Sequence, residues 1–121
     1  MTQPTPTITV VEASERLASA DQPAPLLVDV REASEFGMMR VPGALLLPLS
    51  ELTTRFEELP HERPLLLMCA AGGRSGRATD FLVANGYPDA VNVAGGITAW
   101  NAAGLPVHRP DVEARGGREP G

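Results

Sequence analysis

Leu65-Leu66-Leu67-Met68-Cys69-Ala70-Ala71-Gly72-Gly73-Arg74-Ser75 is the stretch on which the fold turns. Its apolar opening, uninterrupted by any polar residue, reads as a buried strand, and a helix-compatible stretch runs from Gly76 to Asn85. The small residues between them therefore make a strand-to-helix turn. Backbone N–H groups of such a turn point inward, and Ala and Gly keep bulk out of the concavity. The dipole of the following helix adds partial positive charge, so an anion is favoured there. Cys69, the only cysteine of the chain, sits at the mouth. A free thiol with a pKa of about 8.5 is largely protonated at neutral pH, and bringing it to about 6 requires roughly 3 to 4 kcal/mol in favour of the thiolate. The amides and Arg74 are placed to supply it.

Working outward, strands and helices alternate. Thr7 to Val10 reads as a short strand and Glu12 to Ala20 as a helix. Leu26 to Val30 is a second strand buried on both faces, with Asp29 near its end, where ligands gather in parallel sheets. Arg31 to Arg40 is short helical or irregular chain, stopped by the Val41-Pro42-Gly43 turn. Ala44 to Leu47 makes another strand. Ser50 is the expected cap of a helix whose Leu52, Phe56 and Leu59 form one stripe, with Pro60 as its stop. After the Cys69 loop, Ala78, Phe81 and Leu82 share a helix face, and Asn85-Gly86 is the expected C-terminal cap. Ala90 to Val93 is a last strand, and Gly95-Gly96 opens a short helix carrying Trp100. This alternation predicts a single α/β domain over residues 7–107, with a mainly parallel sheet of about five strands flanked by helices on both faces. Residues 1–6 are a polar lead-in, and residues 108–121, rich in Gly, Pro and charge, are expected to be a mobile tail.

Composition narrows the function. The 121 residues suffice for one domain, with 43% hydrophobic and 21% charged residues as in ordinary globular proteins. No apolar run reaches the roughly 20 residues of a membrane span, and the start Met-Thr-Gln-Pro lacks a secretory pattern, so the expectation is a cytoplasmic protein without membrane contact. One cysteine excludes an internal disulfide and paired-cysteine zinc sites. All ten basic residues are arginine, which excludes Schiff-base chemistry and lysine-dependent phosphate loops. With a formal net charge of −5, nucleic-acid binding is not expected. Between Cys69 and Pro88, however, Arg74, Arg77 and Asp80 leave the loop locally positive, which suits a small anionic substrate.

The candidate nucleophile is thus Cys69, with Arg74 as anion binder through its planar fork, and Ala70, Ala71, Gly72, Gly73 and Ser75 lining the substrate site. Gly72 and Gly73 read either as flexible loop or as positions of unusual backbone angle or close ligand approach. Ser75 either donates to the sulfur or caps the helix. Asp29 and Arg31 flank the site as a hydrogen-bond acceptor and an ion-pairing partner. His61 and His108 have no motif context and read as surface residues, which leaves a Cys-His protease without its base. Trp100 reads as core packing.

The chain resembles a single-domain rhodanese, a sulfurtransferase, over roughly residues 7–107. The resemblance rests on Asp29-Val30-Arg31-Glu32 with Glu35-Phe36, on Val41-Pro42-Gly43-Ala44, on the Cys69–Ser75 loop, and on Gly95-Gly96-Ile97-Thr98-Ala99-Trp100. It implies that the Cys69 thiolate takes the outer sulfur of thiosulfate or a similar donor, releases sulfite, and passes the sulfur to a thiol, cyanide or protein acceptor, without metal or organic cofactor. The family's usual Gly-His before the Pro-Gly-Ala block is Met39-Arg40 here, which touches the local turn more than the chemistry and leaves substrate preference open to Arg40. Two other readings stand beside sulfur transfer. Phosphatases on this fold have five residues between Cys and Arg, where this chain has four. A sulfur-carrier or regulatory module would keep the same loop without efficient turnover.

Overall fold

The computed structural model describes residues 4–110. The chain runs β1 (Thr7–Ile8), α1 (Val10–Ala18), β2 (Leu26–Asp29), α2 (Ala33–Met38), β3 (Leu45–Leu46), α3 (Leu49–Arg55), β4 (Leu65–Met68), α4 (Gly73–Ala84), β5 (Ala90–Val93) and α5 (Gly96–Ala102), with a 3-10 turn at Phe56–Glu58. Every strand pairing is parallel, and the sheet order is β1-β5-β4-β2-β3. The expected α/β architecture with a five-stranded parallel sheet is the one found.

The unbroken apolar run of β4 follows from its central place. Leu65 and Leu67 face one layer, packing with Leu52 of α3 and Ala78 and Leu82 of α4. Leu66 and Met68 face the other, with Val10 and Ala13 of α1 and Ile97 and Trp100 of α5. Because strand side chains alternate with period two, a strand covered on both faces has no polar position to show. All four residues are at most 1% exposed, and full burial of each such side chain contributes about 1.5 to 3 kcal/mol. Cys69 continues the α3–α4 side, which sets its sulfur beneath the start of α4.

Several boundaries differ from expectation for local reasons. Val10 belongs to α1 rather than to β1, because the Thr9 side chain accepts the Glu12 N–H at 3.1 Å and starts the helix there. Ser50 does not cap α3. That helix starts at Leu49 behind Pro48, whose missing N–H and fixed φ suit a helix entry, and the Ser50 hydroxyl donates instead to the Glu32 carboxylate at 3.1 Å. The Leu52, Phe56 and Leu59 stripe is real, but the helix tightens into the 3-10 turn at Phe56. Asn85 and Gly86 end α4 as expected, with Gly86 at φ 98°. Trp100 is core, with its indole N–H on the Pro106 carbonyl at 2.7 Å.

Met39-Arg40 forms an anchored turn. Arg40 and His108 exchange backbone N–H to C=O bonds of 2.9 and 2.7 Å, and the Arg40 guanidinium lies 5.0 Å from the centroid of the Phe36 ring. His108, placed in the tail by the sequence reading, is thus held to the domain by its backbone, and Arg109 donates to Asn101 at 3.1 Å. The rest of the expected tail, residues 111–121, lies outside the described residues, as do residues 1–3 of the lead-in. No helix among the described residues is long and apolar enough to cross a membrane.

Candidate active site

The loop after β4 is shaped by what holds its carbonyls. The N-terminus of α5 reaches across it, with Ile97 N–H on the Cys69 carbonyl at 2.9 Å and Thr98 N–H on the Ala70 carbonyl at 3.1 Å. With those oxygens tied outward, the amides turn inward. Two glycines make this possible. Gly72 is left-handed at φ 105°, and a Cβ there would lie 3.2 Å from the Gly95 nitrogen. Gly96, at φ 56°, would place a Cβ 2.2 Å from the Cys69 carbonyl oxygen, so α5 docks this closely only without a side chain. Gly73 adopts helical backbone and a Cβ would meet nothing within 4 Å. The need for unusual angles or close approach, expected of both loop glycines, falls on Gly72.

Helix α4 begins three residues earlier than expected, at Gly73 instead of Gly76, and so takes Arg74 and Ser75 into its first turn. The early start follows from Gly72, whose left-handed angle turns the chain into the helix and whose carbonyl accepts the Gly76 N–H at 3.0 Å. The sulfur of Cys69 lies inside this turn. Gly72 N–H donates to Sγ at 3.0 Å, and the Ser75 Oγ is 3.3 Å away. Burial, at 1% exposure, pushes the Cys69 thiol up. The Ser75 hydroxyl and the N–H groups of Ser75, Gly72 and Ala71 more than offset it, so the thiol sits below its ordinary value. Ser75 is fully buried against the sulfur and against Asn92, while the cap of α4 is Gly72. Of its two readings, contact with the sulfur is the one the geometry supports.

Arg74 is not alone at the mouth. Glu35 of α2 clasps its guanidinium with two bonds of 2.7 and 2.9 Å. That contact, working against partial burial and helped by the Glu32 N–H and the charges of Arg74 and Arg31, holds the Glu35 carboxyl down to about 2. Arg74 is held above its usual range, first by Glu35, and also by the charges of Cys69 and Asp29. Two of its five N–H donors are engaged by Glu35. Behind this pair, Arg31 closes on Asp29 through Nε and Nη2, at 2.8 Å for the shortest bond, and donates to the carbonyls of Met39 and Glu35. Asp29 and Arg31, 1% and 4% exposed, thus brace the α2 segment that carries Glu35.

Sequence reasoning missed Glu35 and Asn92 as site neighbours. Glu35 had a legible signal in the capping box it makes with Glu32 at the start of α2. Asn92 had one as a polar residue in an otherwise apolar strand. His61 stands at the opposite end of β4 from Cys69, stacked on the Tyr87 ring at 4.1 Å. Among the described residues no cluster of three or more His, Cys, Asp or Glu is placed to hold a metal ion.

Known proteins resemble this chain both in sequence and in fold. The Rhodanese-like domain family model matches residues 9–103. A protein named Sulfurtransferase from Allochromatium vinosum is 38% identical over 98 residues, covering 81% of this chain and 90% of that protein. The thiosulfate sulfurtransferase GlpE of Vibrio cholerae is 29% identical, over 80% of this chain and 92% of its own length. Among solved structures, a rhodanese-related protein from Thermoplasma volcanium superposes with a TM-score of 0.78 at 30% identity, covering 85% of this chain and 97% of that one. With nearly its whole described length matched in sequence and in fold, the chain belongs to the rhodanese-like domain family.

Proposed function

We propose that the protein is a sulfurtransferase that carries sulfane sulfur on Cys69. The observation that carries this reading is the sulfur's position, 3.0 Å from the Gly72 N–H and facing the amides of Ala71 and Ser75 at the start of α4. A thiolate and a terminal persulfide are both anions that such a turn stabilises. The Cys69 thiolate attacks the outer sulfur of thiosulfate, the sulfur–sulfur bond of the donor breaks, and its electron pair leaves with sulfite. The outer sulfur of the resulting Cys69 persulfide is then attacked by a nucleophile, and the thiolate returns. Cyanide would leave as thiocyanate and a thiol as a persulfide. No electron enters or leaves the site in either step. Arg74 would hold the sulfonate end of the donor, and Ala70, Ala71, Gly72, Gly73 and Ser75 would form the wall around it. A cytoplasmic setting would keep the single thiol reduced between cycles.

The test is intact-mass measurement after incubation with thiosulfate, followed by addition of cyanide or a small thiol. One sulfur atom per chain is expected, absent in Cys69→Ser and discharged by the acceptor. With no second cysteine to resolve the persulfide internally, discharge must need an outside nucleophile. Loading that survives Cys69→Ser would overturn the reading. Loading that only a protein acceptor removes would make the chain a carrier rather than a turnover enzyme.

A further inference from the structure

Four groups close a ring around the sulfur. Gly72 N–H donates to Cys69 Sγ at 3.0 Å, Asn92 Nδ2 donates to the Gly72 carbonyl at 3.3 Å, and the Ser75 Oγ stands 2.6 Å from Asn92 Oδ1 and 3.3 Å from Sγ. A carbonyl oxygen only accepts, so the Asn92 nitrogen must face Gly72 and its oxygen must face Ser75. That oxygen also only accepts. At 2.6 Å the single hydroxyl proton of Ser75 therefore lies on the Asn92 side, and what Ser75 offers the sulfur is a lone pair, which accepts from the S–H of the neutral thiol. A thiolate has no proton to give. To be stabilised by Ser75 it must receive the hydroxyl proton's hydrogen bond, and then Asn92 Oδ1, in a side chain only 8% exposed, loses its donor.

We propose that Asn92 is a positioning residue that sets the reactivity of Cys69, holding the Ser75 hydroxyl while Cys69 is a thiol and releasing it to the sulfur when the thiolate forms. The inference rests on Cys69 being the nucleophile. In the step itself only the S–H bond breaks, its proton leaving to water, and the hydroxyl turns without transferring its own proton. The charged groups around the sulfur are Arg74 of α4, paired with Glu35 of α2, and Asp29 at the end of β2, paired with Arg31. β5 and α5, packed on the loop's other side, contribute no ionisable side chain. Among the groups touching Sγ, the Ser75 hydroxyl is the one that changes direction with the state of Cys69.

Two measurements test this. In the wild-type protein the carbon-13 resonance of the Asn92 side-chain carbonyl, followed against pH, should titrate with the midpoint found for iodoacetamide alkylation of Cys69. A flat trace through that midpoint overturns the proposal. Asn92→Leu keeps the branched heavy-atom skeleton and removes both hydrogen-bonding functions, freeing the Ser75 proton, so the alkylation midpoint should move down by about 0.5 to 1 pH unit. In a Ser75→Ala background the same change should leave the midpoint where it is. If Asn92 serves only to fix the Gly72 carbonyl, the midpoint rises in both backgrounds, and the proposal fails. Alkylation reads the thiol whether or not sulfur is transferred. A chain that alkylates as described but loads no sulfur from thiosulfate contradicts the sulfurtransferase reading and leaves the role of Asn92 standing.

Discussion

Replacing Gly96 by Ala strikes the contact that gives the loop its shape. The new Cβ would sit 2.2 Å from the Cys69 carbonyl oxygen and 2.7 Å from that of Ala70, both backbone atoms, so α5 and the loop must separate by about an ångström to restore ordinary contact. Separation stretches the Ile97 to Cys69 and Thr98 to Ala70 bonds, each worth about 0.5 to 1.5 kcal/mol. The residue is also at φ 56°, where a side chain adds roughly 1 to 2 kcal/mol. Together these predict a loss of about 2 to 5 kcal/mol, a large part of the roughly 5 to 15 kcal/mol that such a domain has. Equilibrium urea unfolding reads it directly. Gly73→Ala is the control, since its backbone is helical and a Cβ meets nothing within 4 Å. There the change should be neutral or gain up to about 1 kcal/mol. Equal stability of the two variants would refute the claim that α5 holds the loop by close approach. In the folded fraction of Gly96→Ala, slower alkylation of Cys69 near neutrality is expected as well, because the amides lose their aim.

Glu35→Gln should cost about 1 kcal/mol near neutral pH. The full shift from 4.5 to about 2 would be worth roughly 3 kcal/mol in a dry site, but the side chain is 36% exposed and water screens most of it. Since the folded-state carboxyl is depressed, this contribution is present above pH 4.5 and lost as pH falls toward 2, so the acid limb of a stability curve should be shallower in the variant over that window. Arg74→Ala should lower kcat/KM for thiosulfate about ten- to a hundredfold, the loss of charge-assisted hydrogen bonds worth about 1.5 to 3 kcal/mol, with Arg74→Lys recovering part. Unchanged kinetics in both would place Arg74 outside the donor site. Leu67→Ala, at 0% exposure in the central strand, should cost about 2 to 5 kcal/mol in the same urea assay, with little change in the Cys69 alkylation midpoint.

The parallel sheet was legible because β4 writes its two-sided burial as an unbroken apolar run and β2 does so up to Asp29, and the turns around them carry Pro and Gly. The loop was legible for a related reason: a run of Ala and Gly between a strand and a helix has little to do in a core. What stayed hidden depends on contacts between elements distant in sequence. Glu35 meets Arg74 only because α2 and α4 converge at the same end of the sheet. Asn92 reaches Ser75 because β5 lies beside β4. Ser50 finds Glu32 across the α2–α3 gap instead of capping α3, a partner that no local rule supplies. A left-handed Gly72 opens α4 at Gly73, within a stretch that reads as loop by composition.

The central claim is that the inward amides of the loop, the Ser75 hydroxyl and the start of α4 together hold the Cys69 thiol below its ordinary value despite burial. The rate of iodoacetamide alkylation of the unmodified protein against pH tests this most directly. A single ionisation with its midpoint below that of a free thiol, unmoved by His61→Ala and raised in Ser75→Ala, is the predicted result. A midpoint at or above the roughly 8.5 of a free thiol, or one displaced by His61→Ala, would contradict it.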